Sequence, residues 1–166
     1  ICQDTGTILA IVRGEPSKTY QDIDDALRQA VALLTEKGML RQNCVDPVTG
    51  ENTGTNIGEH VPQVHFIPSN GPVTVSLMLK GGGSENVSTQ YSLPFAELDA
   101  GRDLDGVRKC MLDALFKAQG KGCAPGIIGV CIGGDRASGL LLAKEMLFRR
   151  LDEPNPVPEL RRLESR

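Results

Sequence analysis

An α/β fold, a mixed β-sheet with flanking helices, is what this chain predicts, on three observations. Short apolar runs rich in β-branched residues alternate with stretches of helical apolar spacing. Glycines and prolines punctuate the junctions between them. No internal repeat or low-complexity linker interrupts the pattern. At 166 residues, 40% of them hydrophobic, the chain suits one globular domain.

The first element is Thr7 to Val12, a β-branched apolar run between Gly6 and Gly14 that reads as a buried strand. A helix follows, with Ile23, Ala26, Leu27, Ala30, Val31 and Leu34 on one face, Thr19 or Asp22 available as cap and Gly38 as stop. Residues 41 to 62 read as loop. Val64 and Phe66 then alternate with polar neighbours, and Gly71-Pro72 turns the chain into Val73, Val75, Leu77 and Leu79, which predicts a hairpin. A second helix is expected from Asp103 to Gly120, with Leu104, Val107, Met111, Ala114, Leu115 and Ala118 on one face. Cys123-Ala124-Pro125-Gly126 should turn into a continuous apolar strand over Ile127–Ile132, and a third helix should cover Ala137 to Leu151. Asn155-Pro156-Val157-Pro158 has helix-start chemistry. The expected organisation is one partial domain over 1–152 and the start of a truncated helix over 153–166, in a chain cut at both ends.

A net charge of -3, from 18 basic against 21 acidic residues, gives no basic field for nucleic acid. Nothing approaches the roughly 20 apolar residues needed to span a bilayer, so neither a nucleic acid nor a membrane is expected as partner. Glycine is abundant, 19 residues, against 4% aromatics and no Trp. Five cysteines, an odd number at spacings unlike a disulfide scaffold, point to reduced, buried or metal-bound thiols and to a cytoplasmic location.

Chemistry is expected where polar or glycine-rich segments meet the ends of apolar elements. These are Cys2-Gln3-Asp4-Thr5-Gly6, Arg41-Gln42-Asn43, Lys80-Gly81-Gly82-Gly83-Ser84 and Gly120 to Gly126. Three bare glycines after a strand either form a flexible turn or expose backbone N–H groups to a carboxylate or phosphate. Neither GxGxxG nor GxxxxGK[ST] occurs, which removes the phosphate-specific version. Cys2 and Cys123 lie in glycine- or proline-containing turn segments at the start of a strand, where a thiolate can face a metal; taken singly, each reads more readily as a buried apolar residue. Cys110 and Cys131 read as buried apolar residues, and Cys44 fits either role. Arg41 either complements a helix C-terminus or binds an anion, and Asp135 is a helix cap with which Arg136 can pair. His60 and His65 are the only histidines, and no Ser/His/Asp or Cys/His arrangement can be assembled from them.

Together, Ile1-Cys2-Gln3-Asp4-Thr5-Gly6-Thr7, Leu40-Arg41, Asn52-Thr53-Gly54-Thr55-Asn56, Lys80 to Asn86, and Cys123-Ala124-Pro125-Gly126 through Ile132-Gly133-Gly134-Asp135-Arg136 resemble the class I fumarases. These are oxygen-sensitive iron-sulfur hydro-lyases related to the tartrate dehydratase alpha subunit. The resemblance implies that Cys2 and Cys123 are two of three thiolates holding a [4Fe-4S] cluster, the third lying in a missing C-terminal domain beyond Arg166. It implies substrate contacts from Gln3 and Asp4, with Asp4 a candidate acid/base, a carboxylate clamp at Arg41, and backbone contacts from Gly82 and Gly83. A cluster with three protein thiolates leaves one iron open as a Lewis acid. Cys131 departs from the family, many members of which have glycine there, and Cys44 is no recognised ligand position.

The implied activity is reversible hydration of fumarate to (S)-malate in a homodimer of the tricarboxylic acid cycle, the isolated fragment being inactive. The Gly-Gly-Asp-Arg and Asn155-Pro156 regions look more like single-chain fumarases than two-subunit dehydratases. The alternatives are a tartrate or other 2-hydroxydicarboxylate dehydratase, and a non-catalytic thiol metal-binding module.

Overall fold

The first apolar run forms β1, Thr7–Arg13, and its lack of polar alternation is explained by its position. It is the central strand of a three-stranded sheet of order β2-β1-β3, with Ile8, Leu9, Ala10, Ile11 and Val12 all buried. A strand covered on both faces needs apolar residues at every position. The computed structural model describes residues 7–15, 20–122 and 126–165, in two compact units, Ile1–Asn86 and Val87–Arg166.

In the first unit, β2 (Gln63–Ile67) runs parallel to β1, pairing Ala10 with Val64 and Val12 with Phe66. β3 (Thr74–Lys80) runs antiparallel on the other side, pairing Thr7 with Lys80 and Ile8 with Leu79. The sheet is therefore mixed, as expected. The hairpin is not formed, because β1 lies between the two strands that were to pair. The connection after β2 passes instead across the end of β1 at Gly14, where φ is +109° and an added Cβ would stand 3.0 Å from the Val73 Cα. Any side chain there would block the crossing. In-register partners share a face, so Val75, Leu77 and Leu79 continue the Ile8, Ala10, Val12 face onto the outer strand, where they stand exposed.

Helix α1, Tyr20–Glu36, links β1 to β2 and lies on that face. Val31 packs with Ile8, Leu40 and Ile57, and Tyr20 meets Phe66 with ring centroids 4.5 Å apart. The helix stops as expected at Gly38, φ +70°, where Gly38 N–H donates to the Thr35 carbonyl and Met39 N–H to that of Leu34. Asp22 lies in the first turn; Thr19, the other candidate cap, is outside the described residues.

The triple glycine is not a free turn: Gly82–Asn86 form a short helix, α2. In the second unit, α3 (Leu104–Ala118) is capped by Asp103, whose carboxylate accepts from Gly106 N–H at 2.7 Å, and Gly120 follows with φ +74°. α4 covers Arg136–Met146, shorter than expected, with the Asp135 carboxylate accepting from Ala137 and Ser138. Arg136 donates to the Ser92 hydroxyl at 2.8 Å. α5, Pro158–Glu164, begins with its proline in the first turn.

The strand expected over Ile127–Ile132 is absent. The second unit has no strand among its described residues, so this segment has no ladder to join. It lies against α4 instead. A Cβ on Gly129 would collide with the Ala143 carbonyl, while Ile127, Ile128 and Ile132 remain exposed. Cys131 consequently sits in an irregular, half-buried segment, not in a strand interior. No helix among the described residues is long and apolar enough to cross a membrane.

Candidate active site

Two polar segments, one after α1 and one after β3, lie toward one end of the first unit's sheet. The antiparallel register sets Thr7, where β1 begins, opposite Lys80, where β3 ends. One residue further along β1, Ile8 packs against Leu40, which brings the exit of α1 to the same end. Arg41 follows Leu40 directly, and Gly81, Gly82 and Gly83 follow Lys80. Strand register and helix length thus gather two segments that lie about forty residues apart, a distance that loop closure makes inexpensive once the sheet has formed.

Arg41 is exposed, and among the described residues its guanidinium has no hydrogen-bond or ion-pair partner. It does not complement the α1 C-terminus by hydrogen bonding. The fork of donors is open to a ligand, and its planar geometry matches a carboxylate bidentately.

Lys80 differs. Its ammonium lies 2.9 Å from the Glu85 carboxylate, with the lysine side chain only 12% exposed. The pair ties the end of β3 to α2. The Ser84 hydroxyl donates to the Gly81 carbonyl at 2.9 Å and the Glu85 N–H to the same oxygen at 3.1 Å, fixing the glycine turn from within. Gly82 and Gly83 therefore present side-chain-free backbone from a held turn, and an added Cβ on Gly82 would meet no atom within 4 Å.

The Arg41 loop is clipped along its length by a second loop. Asn52 Nδ2 donates to the Gln42 carbonyl at 2.9 Å, and Asn56 Nδ2 to the Arg41 carbonyl at 2.7 Å. Thr53 N–H donates to Cys44 O, and Val45 bridges Asn52. At the tip, Asp46 accepts from Val48 and Thr49 N–H groups, and these backbone bonds, Thr49 first, hold its carboxyl below the usual range. The sequence reading used the Asn52–Asn56 motif only for resemblance and missed this work. Two asparagines four residues apart around a Thr-Gly-Thr turn were the available signal, since Asn amides bond neighbouring backbone.

A cavity of about 600 Å³ lies between α1 and this loop, lined by Gln29, Ala32, Leu33, Glu36, Gln42 and Thr55 among others. Its lining includes Gly54 but not Arg41, Gly82 or Gly83.

Cys2, Gln3, Asp4 and Cys123 lie outside the described residues. Among the described ones, no group of three His, Cys, Asp or Glu side chains could hold a metal ion. Cys44, Cys110 and Cys131 are free. Burial, followed by the nearby Asp113 charge, pushes the Cys110 thiol up, which keeps it protonated and unsuited to ligation. Cys44 faces Gly58 so closely that an added Cβ there would stand 2.9 Å from its sulfur.

Comparison with known proteins gives this α/β arrangement a class: its relatives are hydro-lyases. The chain is 50% identical over 170 residues to a provisionally named class I fumarate hydratase of Geobacillus stearothermophilus, covering 99% of this chain and 33% of that protein. It is 32% identical over 171 residues to a provisionally named L(+)-tartrate dehydratase subunit alpha of Methanocaldococcus jannaschii, covering 99% of this chain and 58% of the relative. The L(+)-tartrate dehydratase subunit alpha of Escherichia coli K12 is 29% identical over 168 residues, covering 99% and 54%. The family model described as fumarate hydratase (Fumerase) matches residues 1–166, and the chain belongs to that family. It spans between a third and just over half the length of these relatives.

Proposed function

We propose that this chain is the substrate-carboxylate-binding part of an iron-sulfur fumarate hydratase that reversibly adds water to fumarate to give (S)-malate. The observation that carries the reading is the sheet end itself: an unengaged arginine and a held glycine turn beside the start of β1. Gln3 and Asp4 lie four and three residues before Thr7 in the chain. The 50% identity to a class I fumarate hydratase supports fumarate over tartrate as substrate.

In this reading Arg41 grips one carboxylate of the dicarboxylate, and its two parallel N–H bonds fix the long axis of the substrate. Backbone N–H groups at Gly82 and Gly83 approach the same ligand without side-chain cover. Gln3 orients the substrate, and Asp4 holds or moves the proton at the carbon next to the one that takes the water oxygen. Cys2 and Cys123 would hold a [4Fe-4S] cluster with a third thiolate from outside this sequence; such a cluster supplies Lewis-acid polarisation of substrate oxygen through its open iron. Lys80, neutralised by Glu85, shapes the turn and leaves the anion to Arg41. A homodimer completed by further chain is part of the same proposal.

The test is turnover by the full-length, anaerobically prepared enzyme, followed as loss of fumarate ultraviolet absorbance and, separately, as dehydration of L(+)-tartrate. Fumarate hydration with no tartrate turnover is expected. Tartrate turnover without fumarate hydration would assign the chain to the dehydratases instead. Zinc in place of iron and sulfide, with neither activity, would make it a metal-binding module.

A further inference from the structure

We propose that Asn56 is the positioning residue for Arg41, setting the affinity of the site for a dicarboxylate through the arginine's backbone. The inference rests on the reading of Arg41 as the carboxylate clamp. An exposed arginine on a loop loses most of its binding advantage if its own backbone wanders, because a misplaced donor fork makes one hydrogen bond where two were available. Arg41 is held on both sides. Leu40 before it is buried in the core, and its own carbonyl is taken by Asn56.

Asn56 is only 4% exposed, and both ends of its amide are engaged. Its Oδ1 accepts from Asn43 N–H at 2.8 Å and Cys44 N–H at 3.1 Å. Its Nδ2 donates to the Arg41 carbonyl at 2.7 Å and to the Thr35 hydroxyl at 3.1 Å. Thr35, itself buried, donates to the Val31 carbonyl at 2.8 Å, so the network runs from the last turn of α1 to the arginine. The backbone of Asn56 is left-handed, φ 57°, a conformation that asparagine tolerates better than other residues bearing a side chain. Three of the four bonds go to the segment from Arg41 to Cys44. What this buried amide organises is therefore the stretch that carries the guanidinium.

Asn56→Asp separates this role from simple support. It keeps the left-handed tolerance and the two acceptor bonds, but turns an acceptor toward the Arg41 carbonyl. In the full-length enzyme, its KM for fumarate should rise about tenfold while kcat stays within about twofold, the signature of lost substrate binding. Arg41→Ala should raise KM about tenfold to a hundredfold, and adding Asn56→Asp to it should raise KM no further, because both act through one group.

A merely structural asparagine would lower the melting temperature and the active fraction, leave KM unchanged, and add to Arg41→Ala; that result overturns the proposal. If Asn56→Asp does not fold, Asn56→Gly, which accepts the same φ without strain, carries the same measurement. Failure of both to fold also overturns it, by making the residue one of folding alone. If Arg41→Ala leaves KM unchanged, the carboxylate reading itself falls. If Arg41→Ala raises KM and the Asn56 variants do not, only the positioning role is lost.

Discussion

The two units place their charges differently. In the second, several cations pair on their own frame, while among the described residues Arg108 and Lys121 do not. Lys117 meets Asp113 at 2.7 Å, Arg149 meets Glu164 at 2.7 Å, Arg150 meets Asp152 at 2.8 Å, and Lys109 lies between Asp99 and Asp105. Tyr91 adds its hydroxyl to Asp113, with the Lys117 ammonium 5.8 Å from its ring centroid. In the first unit Lys80 is similarly spent on Glu85 and Arg28 on Asp24, yet Arg41 is left open. The apolar residues differ in parallel. The first unit buries Ile8 to Val12 of β1, whereas α3 and α4 leave Leu112, Leu115, Phe116, Leu140 and Leu142 exposed. The unit with the buried central strand holds its open arginine on a clipped loop, and the helical unit carries most of the described ion pairs.

This contrast can be broken most severely at β1. Ile11 is fully buried, so Ile11→Ala should destabilise the protein by about 2–5 kcal/mol, read as a lower denaturant midpoint. A loss below about half a kcal/mol would mean that the strand is not the organising core. Next comes the close approach that replaces a strand in the second unit. Gly129→Ala drives a methyl group into the Ala143 carbonyl and should cost about 1–3 kcal/mol in the same assay. Smaller again is the α3 cap: Asp103→Ala should cost about 1 kcal/mol and reduce amide-exchange protection at Gly106.

Tyr91 sharpens the comparison through pH. Burial, then the hydrogen bond and charge of Asp113, push its hydroxyl from 10.0 to about 12. The folded value is raised, so its contribution to stability is fully present below pH 10 and is lost as pH rises toward about 12. Ultraviolet titration should show a late tyrosinate phase that Tyr91→Phe removes; a phase at the ordinary value would dissolve the Tyr91–Asp113 link. The smallest effect belongs to Arg150→Ala, whose exposed pair with Asp152 should leave the unfolding midpoint unchanged.

The helices were legible because caps and stops are local chemistry. Gly38, Asp103 and Asp135 each act within a few residues, and each was readable from the chain. Strand partnership is not local. The alternation in Val73, Val75, Leu77 and Leu79 identified a strand but carried no information about its neighbour, so the crossing over Gly14 was read as a hairpin. Ile127–Ile132 has strand composition and no ladder to join. At the candidate site, Arg41, Lys80, Gly82 and Gly83 are all legible as junction residues, whereas the pairing of Lys80 with Glu85 is not. Asn56 was opaque because its role depends on a helix twenty-one residues away.

The seven-rung pairing of β1 with β3 also works as a ruler. Deleting one residue from β3 would slide the glycine turn by about 3.4 Å and flip the facing of the strand residues between the deletion and that turn. Lengthening the bend between β2 and β3 would leave that measure untouched. Variation in this lineage should therefore accumulate in the bend around Ser69–Pro72, while the distance from Thr7 to the first glycine stays constant.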